Sequence, residues 1–353
     1  MLPFLFRKLL HGVLVLFGVI LIVFLLFFVL LPADPARLTM GQRSDAKTLE
    51  NTRKELYLDQ PLPKQFLLYL NDLSPLALHG DSLAAREKYQ YLKLFPVNSR
   101  QAMVFKAPYL RRSYQTKKEV NAMLWEAFPG TLILATCSIL VAAVLGIFLG
   151  TIAALKQNTW MDSSIIFGSV LGISAPSFFA GILIAYLFGF LWSEYTGLSI
   201  ISPMWDYDPY TGRHLILKSL ILPVFTLSIR PLAIIVQITR SAMLDVLHQD
   251  YIRTARAKGL SETMVIWRHA LRNALNPVIT SISGWFAELL AGSFFIEYIF
   301  GWKGLGKITV DALNKFDFPV VMGSVLFTAT IFILVNIVVD LLYGWIDPRI
   351  RQV

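Results

Sequence analysis

Residues 130–155 read GTLILATCSILVAAVLGIFLGTIAAL and contain no charged side chain. An α-helix rises about 1.5 Å per residue, so about 20 consecutive apolar residues are enough to cross the hydrocarbon core of a bilayer. The stretch therefore predicts a membrane-spanning helix. Within it, Ala142, Gly146 and Gly150 recur every fourth residue, and small residues at this spacing let helix backbones approach closely within lipid.

Five further stretches are long and apolar enough for the same role. They are Gly12 to Leu31, Ser163 to Trp192, Ser219 to Thr239, Ala274 to Phe300 and Phe318 to Ile346. Over the whole chain 56% of residues are hydrophobic and 16% are charged, whereas an ordinary soluble domain is about 25% charged. The sequence predicts an all-α membrane protein with six transmembrane helices.

The positions of the basic residues predict how these helices are oriented. Lys and Arg cluster before the first stretch, between the fourth and fifth, and at the chain end: Arg7, Lys8, Arg240, Arg253, Arg256, Lys258, Arg268, Arg272, Arg349 and Arg351. Short loops rich in Lys and Arg stay in the cytoplasm, so six crossings put both termini and residues 240–273 there. The net charge of +9 is explained by this topology and by lipid headgroups rather than by nucleic acid.

The predicted organisation follows from the six stretches. The first is interpreted as an uncleaved helix, because it exceeds the roughly 7–15 apolar residues of a signal peptide and no cleavage site follows. The lone Cys137 provides no disulfide framework. The divisions are 1–31 (cytoplasmic N-terminus and helix 1), 32–128 (extracytoplasmic segment), 129–348 (five-helix core) and 349–353 (cytoplasmic C-terminus).

The long extracytoplasmic segment contains two predicted amphipathic helices. They cover Leu49 to Leu58 and Leu62 to Leu73, and Asp59-Gln60-Pro61-Leu62-Pro63 separates them. The stretch from about Leu83 to Leu110 has no clear period and several aromatic and basic residues. It is interpreted as an ordered or docked insertion.

The most informative cytoplasmic stretch is Asp250-Tyr-Ile-Arg-Thr-Ala-Arg-Ala-Lys-Gly-Leu-Ser-Glu262. Tyr251 to Lys258 makes about two helical turns, roughly 12 Å long. Gly259 is suited to a left-handed stop and Ser261 to the cap of a following helix. Ala255 and Ala257 keep the helix slim enough to enter a groove on another protein. The stretch near 250–262 is therefore predicted to be a short, rigid, basic helix held between two membrane spans.

This stretch resembles the coupling motif of bacterial ATP-binding-cassette (ABC) importer permeases, in which Glu-Ala-Ala and three further residues precede a Gly. Arg253, Thr254, Ala255 and Gly259 occupy those positions. Together with His269-Ala-Leu-Arg-Asn-Ala, Thr239-Arg240-Ser241 and Gly304-Leu305-Gly306, the chain resembles the dipeptide/oligopeptide/nickel branch, and specifically its B-type permease. The departures are Arg253 for Glu, Lys303 for a common Pro, the insertion at 83–110, and Arg230 within a span.

The resemblance implies an alternating-access pore built with a second permease subunit in the bacterial cytoplasmic (inner) membrane. One or two ABC ATPase subunits, an extracytoplasmic substrate-binding protein and membrane lipid are the implied partners. No cofactor is expected on this chain, because ATP and Mg belong to the ATPase subunits. The implied ATPase-coupling residues are Arg253, Thr254, Ala255, Arg256, Gly259, Leu260 and Ser261.

Charged residues inside the spans are the candidates for the transport path. Charges at membrane depth are expensive and usually face a cavity or a partner. Arg230 and Glu288 lie near mid-span, so they either line the pore or pair with each other or with the second permease. Glu297 lies nearer a span end, where a structural or gating role is expected. No metal site and no catalytic residue is predicted.

Three other function classes fit the sequence less well. Gly301, Gly306 and Lys307 resemble part of a phosphate-binding loop, but Ile308 stands where Ser or Thr is required and no strand precedes it. A membrane protease is disfavoured because HExxH and GxSxG are absent from the sequence. An ion-gradient-driven secondary transporter remains the alternative, although it leaves the basic helix unexplained. Nickel complexes, glutathione or antimicrobial peptides remain alternative cargoes to peptides.

Overall fold

The computed structural model describes residues 2–30, 50, 53–54, 56–98, 101–201, 205–208 and 212–346. The predicted end of the first span at Leu31, residues 49, 51, 52 and 55 of the helix predicted over 49–58, and the C-terminal residues 347–353 lie outside these ranges. The labelled helices are α1 Leu2–Phe24, α2 Leu62–Leu73, α3 Leu83–Tyr89, α4 Val120–Leu155, α5 Trp160–Ser174, α6 Ser177–Tyr186, α7 Lys218–Leu247, α8 Asp250–Ala257, α9 Leu271–Gly292, α10 Leu305–Asn314 and α11 Phe318–Ile346.

Several helices are extended or flanked by shorter helical pieces. π-Helical segments cover Leu25–Leu30, Leu187–Leu191 and Val265–Ala270, and short α-helices cover Ser193–Thr196, Glu262–Met264 and Phe294–Ile299. The strands are β1 Leu76–Gly80, β2 Leu92–Asn98, β3 Gln101–Phe105, β4 Trp205–Asp208 and β5 Gly212–Leu215. The described chain is therefore mainly helical, as the sequence predicts.

Four described helices are long and apolar enough to cross a membrane. They are Leu5–Leu30, Val120–Leu155, Lys218–Leu247 and Phe318–Leu341. The third predicted span is a pair of helices, α5 and α6, that meet at an angle of 104° and count as a fifth crossing only if taken together. The bend has a local cause: Ala175 is extended (φ −80°, ψ 132°), as expected of a residue that precedes a proline such as Pro176.

The fifth predicted span, Ala274 to Phe300, is also interrupted. α9 ends at Gly292, and after Ser293 the short helix Phe294–Ile299 begins. α9 carries Arg272, Asn273, Asn276 and Glu288, which make it less apolar than the other long helices.

The chain divides into two compact units. The core unit comprises residues 127–307 and 331–353, and the N-terminal unit comprises residues 2–126 and 308–330. In the core unit, α4 and α7 pack closely at two of the small residues singled out in the sequence: a Cβ on Gly146 would lie 2.7 Å from Ile235, and one on Gly150 would lie 2.6 Å from Thr239. The predicted close approach of helix backbones is confirmed here.

The N-terminal unit joins α1, α2, part of α11 and a small sheet. Val23, Phe24, Tyr69, Met322 and Leu326 form its main apolar cluster. α2 spans Leu62–Leu73, as predicted.

The unperiodic stretch at 83–110 folds as α3 and two strands, which complete a three-stranded antiparallel sheet of order β1-β3-β2. This sheet was not predicted from the sequence. Its buried apolar side chains are the small Ala77, Ala102 and Val104, which give a weak alternating pattern. A second, two-stranded sheet pairs β4 with β5.

Candidate functional site

α8 begins and ends close to where the sequence predicts. It starts at Asp250 after the extended Gln249 (φ −72°, ψ 147°) and ends at Ala257. Gly259 has φ +77° and no atom within 4 Å of where a Cβ would stand, so the left-handed backbone, and not crowding, favours glycine. Ser261 caps the next helix by accepting a 3.4 Å hydrogen bond from the Met264 N–H. The predicted stop and cap are both confirmed.

One face of α8 is buried in the core unit. Ile252 and Ala255 belong to an apolar cluster with Met243, Val265 and Ala270. Ala255 is only 7% exposed, so its small side chain allows α8 to lie close to this cluster. The interpretation that Ala255 slims the helix for a groove on another protein is therefore wrong for this residue, whereas Ala257 is exposed as that interpretation requires.

The opposite face of α8 is exposed and mostly basic. Arg253, Thr254 and Arg256 all lie on the surface. The Arg256 guanidinium donates to the Glu262 carboxylate at 2.9 and 3.3 Å, and this pair bridges the turn at Gly259. Arg253 is 3.5 Å from Asp250, a surface pair of little energetic weight. Gly259 and Ser261 are exposed, and Leu260 is half-buried against the apolar cluster.

α8 is also tied to α9. The Asn273 side chain donates a 2.8 Å hydrogen bond to the Tyr251 hydroxyl, and a displacement of α8 would pull on the start of α9. Tyr251, Glu262 and Asn273 were not singled out from the sequence as site residues. Tyr251 and Asn273 stand 22 residues apart, and this spacing does not correspond to any pattern from which a contact can be predicted.

A second polar contact near the end of α7 joins two distant parts of the sequence. Arg240 Nε and Nη2 donate to the two carboxylate oxygens of Asp162 at 2.6 and 2.7 Å. The Asn158 N–H donates to the same carboxylate at 3.0 Å, and Asp162 is buried. The two-pronged geometry is the strong form of a charge-assisted contact. It fastens the start of α5 to α7.

Arg230 and Glu288 do not pair with each other. Among the described residues no ion pair joins them, and both side chains are exposed. The Arg230 guanidinium instead lies 5.9 Å from the centre of the Trp285 ring, and Trp285 stands one turn before Glu288 on α9. The two charges therefore lie on the same exposed part of the core unit.

This part of α9 carries a polar stripe. Asn276, Thr280, Gly284 and Glu288 recur every fourth residue and are all exposed, so they share one face of the helix. The opposite side of α9 contributes Val278 and Leu289 to the main apolar cluster of the core unit. Exposed polar residues on an otherwise apolar helix are unusual at membrane depth and point to a cavity or a partner.

Glu297 is enclosed by hydrogen-bond donors, which agrees with the structural or gating role expected for it. Its side chain is fully buried, and the hydroxyls of Thr131 and Ser293 each donate to Oε1 at 2.7 Å. The N–H groups of Gly306 and Lys307 donate to Oε2 at 2.7 and 3.2 Å. The helix start that resembles a phosphate-binding loop thus holds a carboxylate of its own chain, by the attraction that helix N-termini exert on anions.

Comparison with known sequences identifies the family. Residues 146–352 match the family described as "Binding-protein-dependent transport system inner membrane component". Residues 1–84 match the N-terminal region of binding-protein-dependent transport system membrane components. The first match covers more than half of the chain, and it includes α8 and the polar stripe of α9.

Individual relatives extend over nearly the full length. The di/tripeptide transport system permease protein of Pseudomonas aeruginosa is 38% identical, with 100% of this chain and 99% of the relative covered. The glutathione transport system permease protein of Pectobacterium atrosepticum is 35% identical, with 98% of each chain covered. A crystal structure described as an amino acid ABC transporter with histidines aligns with 63% of this chain and 93% of its own, at 15% identity and a TM-score of 0.45. The chain belongs to the family of binding-protein-dependent transport system inner membrane components.

Proposed function

We propose that this chain is a permease subunit of an ABC importer and that, with a second permease, it forms the path for peptides delivered by a binding protein. Family membership and the full-length relatives whose names state peptide or glutathione transport support this function. The observation that carries the proposal is α8. It is a short basic helix with one face buried against an apolar cluster and the other face exposed, and the chain leaves it through the left-handed backbone of Gly259.

The exposed face of α8 contacts an ATPase subunit in this proposal. Arg253, Thr254 and Arg256 supply the contact surface, and Gly259, Leu260 and Ser261 fix the exit of the chain. Ala255 lies on the buried side of α8, and its small side chain keeps α8 close to the apolar cluster that contains Met243 and Val265. When the ATPase dimer closes on ATP, α8 moves and pulls on α9 through the Tyr251–Asn273 hydrogen bond. ATP binding favours one pore state only by its differential affinity for the two states.

The partners divide the remaining tasks. ATP and Mg²⁺ bind to one or two ATPase subunits, which are identical or different, and this chain supplies no cofactor site. An extracytoplasmic substrate-binding protein delivers the cargo, lipid surrounds the apolar helices, and no nucleic acid takes part. The complex resides in the bacterial inner membrane, which is where the family description places its members.

The proposed topology has six crossings with both termini in the cytoplasm. The four long apolar helices account for four crossings, the bent pair α5 and α6 for one, and α9 with the short helix after it for the sixth. The polar residues of α9 are compatible with a crossing because they face the transport path. The segment between α1 and α4 is then extracytoplasmic, and α8 is cytoplasmic.

The polar stripe of α9 and Arg230 are proposed to line that path. Arg230 and Glu288 offer opposite charges on one exposed surface, which suits a cargo with an amino and a carboxylate terminus. Asn276 and Thr280 extend the polar surface along α9 in the direction of α8. A peptide would thus meet hydrogen-bonding side chains along the helix.

Co-purification tests the coupling role. The complex is isolated from its native membrane through a tag on this chain, and the accompanying proteins are identified by mass spectrometry. We expect a second permease, ATPase subunits and a binding protein. Arg253→Glu combined with Thr254→Tyr alters only exposed positions of α8, and we expect it to release the ATPase subunits while the second permease stays bound.

The matched control is Lys156→Glu, which makes the same change of charge at an exposed position outside α8. It should retain the ATPase subunits. Retention of the ATPase subunits by the α8 variant would remove the coupling role, and purification of the wild-type chain without any ATPase would overturn the importer function. The ligand extracted from the co-purified binding protein and weighed by mass spectrometry distinguishes a peptide from glutathione.

A further inference from the structure

The three-stranded sheet of the N-terminal unit has an uncovered apolar face. Leu76 and Leu92 both stand opposite Phe105, and Leu78 and Phe95 both stand opposite Met103. Residues that stand opposite each other in antiparallel strands point to the same side of a sheet. We call the side chains on this side the apolar sheet face: Leu76, Leu78, Leu92, Phe95, Met103 and Phe105.

This face is exposed over most of its area. Leu92 is 70% exposed, Leu76 57% and Phe95 55%. Neighbouring large apolar residues exposed on both an edge strand and its inner neighbour form a continuous patch. Patches of this kind mark interaction sites for protein or membrane.

The other side of the sheet carries the buried side chains Ala77, His79, Ala102 and Val104. The His79 ring stacks on Tyr89 of α3 with ring centres 3.9 Å apart. Beyond that contact α3 carries Arg86, Glu87 and Lys88, and Arg86 pairs with Asp81 at 2.7 Å. The sheet with α3 is therefore two-sided, with charge on the helix side and hydrocarbon on the strand side.

The sheet is attached to a helix that packs against α1. The Asn71 side chain of α2 both donates to the Leu78 carbonyl at 3.0 Å and accepts from the Leu78 N–H at 2.9 Å. α2 in turn packs on α1, since the Phe66 ring lies 5.0 Å and the Tyr69 ring 6.1 Å from the Phe24 ring. Phe24 stands six residues before Leu30, directly before the π-helical segment Leu25–Leu30.

The level of α2 along α1 identifies what covers the apolar face. The apolar run of α1 continues to Leu30, so α2 crosses α1 at a level where the side chains of α1 still require hydrocarbon around them. On α2 itself Leu67 is 64% exposed and lies one turn before Asn71, on the same side of the helix. Exposed apolar side chains therefore follow one another along the chain from the end of the first span through Leu67 to the sheet.

From this continuity we propose that α2 and the apolar sheet face rest on the bilayer, in the leaflet at the C-terminal end of α1. That leaflet is the outer one in the topology proposed above. Leucine and phenylalanine side chains enter the boundary between headgroups and acyl chains, while the charged α3 faces water, which is the arrangement of interfacial amphipathic elements. The insertion at 83–110 is thus part of a membrane-surface element that steadies the extracytoplasmic end of the protein, whichever molecule is transported.

Depth-dependent fluorescence quenching tests this assignment. Single cysteines are placed at Phe95 and at Leu67 in a Cys137→Ser background, labelled with bimane, and the full complex is reconstituted in nanodiscs of phosphatidylethanolamine and phosphatidylglycerol. The matched control is Glu87→Cys on the exposed side of α3. Lipid carrying a doxyl group near the headgroup should quench the labels at 95 and 67 at least about threefold more strongly than the label at 87.

Quenching at 95 no stronger than at 87 would overturn the proposal. If the label at 95 is not quenched by the doxyl lipid and its fluorescence emission shifts to the blue when the binding protein is added, the face would be assigned to a protein partner instead. A second measurement needs no substitution: a lipid with a diazirine in its acyl chain is photolysed in nanodiscs of the unmodified complex. Cross-linked peptides from residues 62–105 support the bilayer contact, and their absence while peptides of α1 are cross-linked contradicts it.

Discussion

At the scale of single residues, Glu297 shows how a buried carboxylate is stabilised when hydrogen-bond donors surround it. Glu297 receives hydrogen bonds from two hydroxyls and two backbone N–H groups. A buried donor that loses its acceptor costs about 1–3 kcal/mol. Glu297 therefore acts as the common acceptor for three separate stretches of the core unit.

The variant Glu297→Gln should destabilise the chain, because its amide presents N–H groups to donors that need an acceptor. We expect a loss of about 2 kcal/mol or more in the free energy of unfolding, seen as a lower apparent melting temperature in detergent. Glu288→Gln is the control, since Glu288 is exposed and should leave the melting temperature unchanged. Equal effects of the two changes would show that the four hydrogen bonds do not stabilise the protein.

The contribution of His79 to the stability of the folded chain depends on pH. Burial, with Lys106 and Lys88 nearby, lowers its pKa from 6.5 to about 4. Between these values the unfolded chain binds a proton that the folded chain does not, so His79 reduces stability as pH falls from about 6.5 to about 4. Burial raises the pKa of the neighbouring Asp72, and this carboxyl has the opposite effect over its own range.

His79→Phe should keep the stacking on Tyr89 and remove the titration. We expect the apparent melting temperature of the variant to fall by a few degrees less than that of the wild type between pH 7 and pH 5. Comparing the two proteins at each pH cancels the contribution of Asp72. If the melting temperatures of the two proteins change in parallel with pH, His79 binds its proton equally well in the folded and the unfolded chain.

At the scale of elements, local signals predicted α8 well and non-local contacts poorly. The helix, the left-handed Gly259 and the Ser261 cap depend on neighbouring residues, and each was found where the sequence predicts it. The direction in which Ala255 points depends on Met243 and Val265 from other segments, and the sequence did not reveal it. The bend at Pro176 also escaped prediction, because a proline within an apolar run is compatible with a kinked single helix.

The contact between α5 and α7 depends on a pair that is 78 residues apart in the sequence. Removing one member should leave the buried Asp162 or the guanidinium of Arg240 without its partner. For Asp162→Asn and for Arg240→Gln we expect losses of about 2 kcal/mol in the free energy of unfolding, in line with hydrogen bonds to charged groups.

A double-mutant cycle measures this coupling directly. If the two side chains act on each other, the loss in the combined variant should be clearly smaller than the sum of the two single losses. The readout is the apparent melting temperature of each purified variant in the same detergent. Strictly additive losses would show that Asp162 and Arg240 stabilise the fold independently.

At the scale of the whole molecule, the membrane-protein class and the family could be predicted from the sequence, and the sheet of the N-terminal unit could not. Long uncharged stretches and the motif around Gly259 are strong, contiguous signals. Apart from His79, the sheet buries only the small side chains of Ala77, Ala102 and Val104, so the alternating pattern is too weak to predict the sheet from the sequence. The pairing alternative for Arg230 and Glu288 was likewise decided only by their positions on two packed helices.

The transport path is complete only in the assembled complex, so the roles of Arg230 and Glu288 must be tested there. If Arg230 and Glu288 contact the cargo, Arg230→Gln and Glu288→Gln should each reduce peptide uptake about tenfold, the equivalent of one charge-assisted hydrogen bond. The ATPase subunits should still co-purify, because both residues lie away from α8 in the sequence, Arg230 on α7 and Glu288 on α9. Glu126→Gln, another exposed glutamate, is the control and should transport normally. Uptake by Arg230→Gln that equals the wild type at every peptide concentration would remove this residue from the path and leave its contact with Trp285 as a structural one.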